Sequence, residues 1–300
     1  MPFCEADPWR LQYFEGVECP SGVRIPTEDP DAYVWYPAQR SVYDKLWVCA
    51  SQGLEYAPHG VIPPRFPVFS KPIANLRGMG VGSRVLTSLE DYRRHLTPGH
   101  FWMTLLEGEH VSSDVAVVKG QAKWWRHCRG APAREGTFDY WTIEAGHRRE
   151  LEVYLGDWLT RELATYTGMF NCETIGGRII DAHLRFADQW PDLYGRGWLD
   201  AVVGLYARNV WAFADDDRRT GYSVALFGPH GREYRYPPAE LVAEVRRMAQ
   251  VTSVQITFHE DRPAAAHAMP PGGFRLAIVN CWDLEAGRAA RAKLAAAFGV

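Results

Sequence analysis

Two glycines in succession set the strongest local constraint in this chain. Gly176-Gly177 separates the runs 169–175 and 178–186 within FNCETIGGRIIDAHLR, residues 170–185. Such a pair closes a β-hairpin, because a two-residue turn that matches the twist of its strands needs positive φ. Side chains alternate along a strand, so Asp181, His183 and Arg185 share one face of the second strand while Ile180, Ala182 and Leu184 share the other. With a regular turn Cys172 stands opposite Asp181 and Glu173 lies one step diagonal to it; a one-residue slip or a bulge brings Glu173 onto the same face. Two carboxylates, an imidazole and a guanidinium on one patch are costly to bury without a counter-ion. A divalent cation with a polyanion on it, held by hard oxygens and an arginine fork, supplies one. The solvated outer face of a hairpin carries the same period-two charges, so the stretch by itself leaves both readings open.

The rest of the chain narrows the field. Three hundred residues, 47% of them hydrophobic, allow one large domain or two ordinary ones with ample core. A net charge of −3 with acids and bases interspersed gives no footprint for nucleic acid or an anionic membrane. The twelve tryptophans are read mainly as core. Cys4, Cys19, Cys49, Cys128, Cys172 and Cys281 form no C-x-x-C pair, which argues against a disulfide framework or a zinc site. With no signal peptide and no membrane-length apolar run, a reduced, cytoplasmic protein is expected.

In chain order, residues 1–40 read as an irregular arm or a small strand-bearing lobe. Residues 41–53 read as a short helix capped by Ser41 and carrying Lys45. Residues 66–73, FPVFSKPI, form an apolar strand with Lys71 near its end, and residues 75–84, NLRGMGVGSR, a glycine-dense loop whose backbone can approach a phosphate closely. The loop lacks the Gly-Lys-Ser/Thr ending of a P-loop and any strand-to-helix dinucleotide context. A helix over 88–96 capped by Ser88 follows, then strands over 101–106, 110–118, 122–128 and 138–143. The helix at 148–167 has Leu151, Leu155, Trp158, Leu159, Leu163 and Tyr166 on one face. Beyond the hairpin come helices over 198–207, 238–250 and 285–298 and strands over 222–227, 254–259 and 274–280.

A lysine on a strand, a glycine-rich loop, a turn between strands and a Phe-Asn-x-acid hairpin that ends acid-x-amide-x-Arg form an ordered signature, and from residue 43 to 186 this sequence resembles the ATP-grasp superfamily in that order. The resemblance implies an α+β ATP-grasp fold: two α+β lobes over 41–205, preceded by a short N-terminal arm over 1–40 and followed by a C-terminal α/β subdomain over 206–300. It implies an ATP-dependent carboxylate–amine ligase that passes through an acylphosphate, with a phosphotransferase or a non-catalytic nucleotide-binding protein as alternatives. ATP and Mg2+, with Mn2+ as the other cation, are the expected cofactors. Small carboxylates and amines are the expected partners, nucleic acid and membrane are not, and an oligomer is left open.

The resemblance also assigns residues. Lys45 and Lys71 contact phosphate, and residues 78–84, with Gly78, Gly80, Gly82 and Ser83, form a mobile lid over the triphosphate. The adenine hinge covers 103–106, with Met103 and Leu105; His110 falls where the family usually has the ribose-binding Glu, unless Glu109 takes that part. Glu173 and Asp181 match the metal carboxylates, and His183 stands at the family's usual Asn as a third ligand. Arg185, with Lys71, serves catalysis at the transferring phosphoryl group. Arg126 and Arg129 are candidates for holding an acceptor carboxylate, against a solvated basic strand face. In the metal-free protein Glu173 and Asp181 are expected to repel one another.

Overall fold

The computed structural model describes residues 3–76, 78–134 and 136–300; Arg77 of the glycine-rich loop and Glu135, between the strands expected over 122–128 and 138–143, lie outside them. The N-terminal arm contains β1 (Phe3–Cys4), α1 (Leu11–Phe14), β2 (Ile25–Pro26) and α2 (Asp29–Trp35), with β1 and β2 paired in parallel. Next comes α3 (Lys45–Ser51), whose cap is Asp44, not Ser41: its carboxylate accepts from the backbone N–H of Leu46 and Trp47, whereas Ser41 lies in a 3-10 turn over Arg40–Tyr43. An Asp side chain satisfies two of the free N–H groups at a helix start, and the helix begins where it does so.

The small lobe is an antiparallel sheet of β3 (Tyr56–Pro58), β4 (Val68–Pro72), β5 (Arg84–Leu86) and, after α4 (Leu89–Arg94), β6 (His100–Thr104), in the order β3-β6-β4-β5. Ser88 caps α4 as expected, accepting from the N–H of Asp91. One face of this sheet packs Val68, Leu86 and Trp102 against Tyr92 of α4. The other presents Phe69, Phe101 and Met103 to Cys49 and Leu46 of α3 and to Ile180.

The large lobe is built on one eight-stranded antiparallel sheet. Its strands are β7 (His110–Val118), β8 (Gln121–Pro132), β9 (Phe138–Ile143), β10 (Gly168–Ile175), β11 (Arg178–His183), β12 (Gly221–Gly228), β13 (Val251–Ile256) and β14 (Phe274–Cys281), ordered β11-β10-β7-β8-β9-β12-β14-β13. The ladder runs unbroken from β9 to β12, so the C-terminal strands share a sheet with the hairpin. The helix α5 (Arg149–Glu162) buries Leu155, Trp158 and Leu159 on one face beside Phe170 and Cys172, which is the apolar stripe its spacing announces. On the opposite face α6 (Trp198–Arg208) and the arm residues Phe3, Tyr13, Phe14 and Ile25 enclose Trp124, Trp141 and Met169. At the far end α7 (Ala239–Arg246) and α8 (Leu284–Phe298) cover β12–β14 around Val254, Leu276 and Leu294. Among the described residues no helix is long and apolar enough to cross a membrane.

Candidate active site

The hairpin turn is where the sequence placed it, with Gly176 at φ 55° and Gly177 at φ 77°. A Cβ on Gly176 would lie 2.3 Å from the carbonyl oxygen of Glu107, and the Gly176 N–H donates to the Glu109 oxygen at 3.2 Å. The turn is thus docked against the segment that joins the two lobes, and no residue with a side chain fits there.

Between Thr174 and Glu173 the β10–β11 register shifts by one residue. Thr174 pairs with Ile179, but Glu173 pairs with Asp181, leaving Ile180 as the extra residue of a β-bulge. The bulge has two consequences. It sets Glu173 and Asp181 directly across from each other, and it frees the Ile180 carbonyl, which accepts from Lys71 Nζ.

The cations complete the patch. Lys45, 4% exposed at the start of α3, places Nζ 2.6 and 2.7 Å from the two oxygens of Asp181. Burial opposes ionisation of Asp181, but Lys45, His183 and Lys71 outweigh it and hold the carboxyl down at about 2. Burial pushes the Lys71 ammonium down to about 8 against the pull of Asp181. His110 Nε2 is 2.9 Å from Glu173 Oε2; burial of Glu173 is outweighed by this contact, so its carboxyl lies below the ordinary value. The expected repulsion between the two carboxylates is therefore offset: each faces its own cationic or hydrogen-bonding partner.

His183 and Arg185 continue this face toward the arm, and both meet Asp29. His183 Nδ1 is 2.9 Å from Asp29 Oδ2, Arg185 Nη2 donates to the same oxygen at 3.0 Å, and Tyr43 donates to Oδ1 at 3.2 Å. The sequence offered no hint of Asp29 at this site. Glu28-Asp29-Pro30 marks only a helix start, and a contact 154 residues away has no local signature.

The remaining candidates divide. Met103 lies inside β6 with its side chain buried, whereas Leu105 follows the strand end and Leu106 packs with Ile180 in the seam between the lobes. Glu109 turns outward to Arg148 at 2.8 Å and to Arg129 at 3.7 Å. Gly78, Gly80 and Gly82 all have positive φ in the connection between β4 and β5, and the Ser83 N–H closes a turn on the Gly80 oxygen at 3.1 Å.

Arg126 and Arg129 are not brought together, since three residues apart on an unbulged stretch of strand they project to opposite faces. Arg129 is half-exposed and lies 3.6 Å from Glu144. Arg126 is neither on a solvated face nor open to a substrate. It is wholly buried, with Nη2 donating to the carbonyls of Leu193 and Arg219. The loop after α6 closes over it, which strand periodicity cannot foretell. The same sheet face hides a second group outside the sequence reading: Asp114, which accepts from Asn171, Tyr194 and the Ala187 N–H, with burial pushing its carboxyl up to about 6.

Two lobes joined behind a glycine-turn hairpin, with lysines and carboxylates in the seam, define this chain's class: it has the ATP-grasp fold. The structural likeness spans nearly its whole length. An L-amino acid ligase from Bacillus licheniformis superposes with a TM-score of 0.62 at 11% identity, over 96% of this chain and 82% of that one. Phosphoribosylamine–glycine ligase from Thermotoga maritima gives 0.62 at 13%, over 96% and 85%. An N5-carboxyaminoimidazole synthase from Aspergillus clavatus, in complex with ADP and 5-aminoimidazole ribonucleotide, gives 0.60 at 11%, over 93% and 78%. At the level of sequence no protein-family model and no curated protein matches.

Proposed function

We propose that this protein is an ATP-dependent ligase that activates a small carboxylate as an acylphosphate and transfers the acyl group to an amine or similar nucleophile. The observation that carries this reading is the bulge-aligned pair Glu173 and Asp181, with Lys45 and Lys71 beside it. It sits in a fold shared with an L-amino acid ligase and a phosphoribosylamine–glycine ligase. A carboxylate is a poor electrophile. Its oxygen attacks the γ-phosphorus of ATP and ADP leaves; the nucleophile then attacks the acyl carbon, loses its proton, and phosphate leaves. The protein contributes positioning and charge neutralisation.

In this reading Lys45 and Lys71 turn from Asp181 and the Ile180 carbonyl to the phosphates, and residues 78–84 close over them. Met103, Leu105 and Leu106 line the adenine side, with Glu109 or His110 beside the ribose. Asp181 and His183, with Oδ1 and Nε2 3.9 Å apart, would hold a divalent cation, Mg2+ or Mn2+, with Glu173 joining from across the hairpin once its side chain turns in; a bound cation would neutralise charge on the phosphoryl oxygens. Arg185 faces the transferring group. Arg129 remains open to an acceptor carboxylate, and Arg126 serves the fold.

The test is ADP release from ATP across a panel of carboxylates and amines. ADP formation that needs both supports the ligase. A stable phosphorylated product formed without an amine replaces it with a phosphotransferase, and nucleotide binding with no turnover over the panel removes the enzymatic reading.

A further inference from the structure

We infer that Asp29 of the N-terminal arm positions His183 as a nitrogen ligand, so that the cation site prefers a first-row transition ion such as Mn2+ over Mg2+. This rests on the ATP-grasp reading of the hairpin site above.

Asp29 and His183 are 3% and 5% exposed, and the His183 Nδ1 atom lies 3.0 and 2.9 Å from the two Asp29 oxygens. Asp29 also takes hydrogen bonds from Arg185 Nη2 and the Tyr43 hydroxyl. A carboxylate paired with a guanidinium and receiving a hydroxyl proton offers only acceptor atoms. The Nδ1 atom of His183 must then be the donor, and in the neutral ring Nε2 keeps its lone pair. This carboxylate–imidazole arrangement is the one that fixes the tautomer and ring orientation of a metal-bound histidine.

The free nitrogen faces the site. His183 follows Asp181 by two residues on β11 and so shares its face, with Nε2 3.9 Å from Asp181 Oδ1. Among the described residues Nε2 has no hydrogen-bond partner. Bonds of about 2.1 Å let two donors to one ion stand up to roughly 4.2 Å apart, so Asp181 and His183 can reach a common ion once Lys45, whose Nζ lies 2.7 Å from the same Asp181 oxygen, turns to the phosphates. Imidazole is a poor partner for Mg2+, which prefers oxygen and gives up its waters reluctantly, and a better one for first-row transition ions. Because Arg185 leans on the same carboxylate, the arm orients both the imidazole and the guanidinium of the site from one residue.

The experiment uses the full chain with a non-hydrolysable ATP analogue, titrated with Mn2+ and with Mg2+ in competition, and pulsed electron paramagnetic resonance of the bound Mn2+. Expected is a nitrogen coupling that converts from 14N to 15N when the histidines are 15N-labelled. In His183→Asn, Mn2+ still binds, the coupling vanishes and the preference for Mn2+ falls at least tenfold. Asp29→Ala weakens the coupling and Asp29→Asn, which keeps an acceptor for Nδ1, restores it; melting curves confirm that each variant is folded. Mn2+ bound without histidine coupling, at equal preference in wild type and His183→Asn, overturns the inference and leaves the ligase reading standing. No binding of either cation with the analogue overturns both.

Discussion

Glu173 and Asp181 stand directly across the β10–β11 hairpin from one another because Ile180 is an extra residue between two stretches of regular pairing. Removing either side of this arrangement disturbs the lysines as much as the carboxylates. Asp181→Asn leaves Lys45, 4% exposed, without its anion. We expect a loss of about 1–3 kcal/mol in a denaturant titration of the nucleotide-free protein, together with loss of cation-dependent ADP release. Unchanged or increased stability would mean that the Lys45–Asp181 pair does not form in solution.

Lys71 gives a pH signature. Its ammonium lies at about 8 in the folded chain against an ordinary value of 10.5, so between these values the unfolded chain binds more protons than the folded one. Stability from this group is complete above about 10.5 and is lost as the pH falls through about 8. Lys71→Met should be the more stable protein at pH 7, by at most roughly 3 kcal/mol, with the advantage shrinking toward pH 10. Calorimetry on the same variant should show ATP affinity lowered by about 1.5–3 kcal/mol. A pH-independent stability difference would disprove the buried ammonium.

The lid assignment predicts slow exchange only in the bound state. Residues 78–84 should exchange amide hydrogens freely without nucleotide and become protected with an ATP analogue, since a lid must open to admit ATP. Equal, strong protection in both states would make the loop a fixed connection between β4 and β5.

Around Arg10 the acids outnumber the base. Nη1 is 3.0 Å from Glu28, 3.1 Å from Asp7 and 4.0 Å from Glu5, and it also reaches Asp188. Burial and the neighbouring Asp188 push Glu5 up to about 8 and Glu28 up to about 7. The folded chain therefore holds protons that the unfolded chain releases near 4.5, and the stability they contribute is lost as pH rises through 7 to 8. Thermal melts should show Tm falling over that window, with a flatter fall in Glu28→Gln, which keeps an oxygen for Arg10. A slope identical in both proteins would rule out Glu28 as the titrating group.

Much of the candidate site's local geometry was legible because its signals are local. Gly176-Gly177 names its own turn, alternation puts Asp181, His183 and Arg185 on one face, and the stripe on α5 declares which side is buried. Those patterns are set within a few residues by φ, ψ and side-chain period. Lys45 and Lys71 were placed by the order of motifs, but their partners were not, because Asp181 and the Ile180 carbonyl come from the far side of the seam.

What the sequence determined by itself is most of the elements after residue 66 and the composition of the hairpin face; the short helices of the arm and β3 carry no periodic run long enough to announce them. The tertiary structure decided everything that turns on a single residue of register or on distant packing. Alternation allowed both a regular ladder and a bulge, and the bulged register is the one that aligns Glu173 with Asp181. Arg126 carries the same charge as Arg129 and sits on the same strand, yet the carbonyls of Leu193 and Arg219 enclose one while solvent keeps the other. Asp29 reached His183 across 154 residues. Such contacts depend on which surfaces the folded chain brings within hydrogen-bond distance, and short-range periodicity carries no record of that.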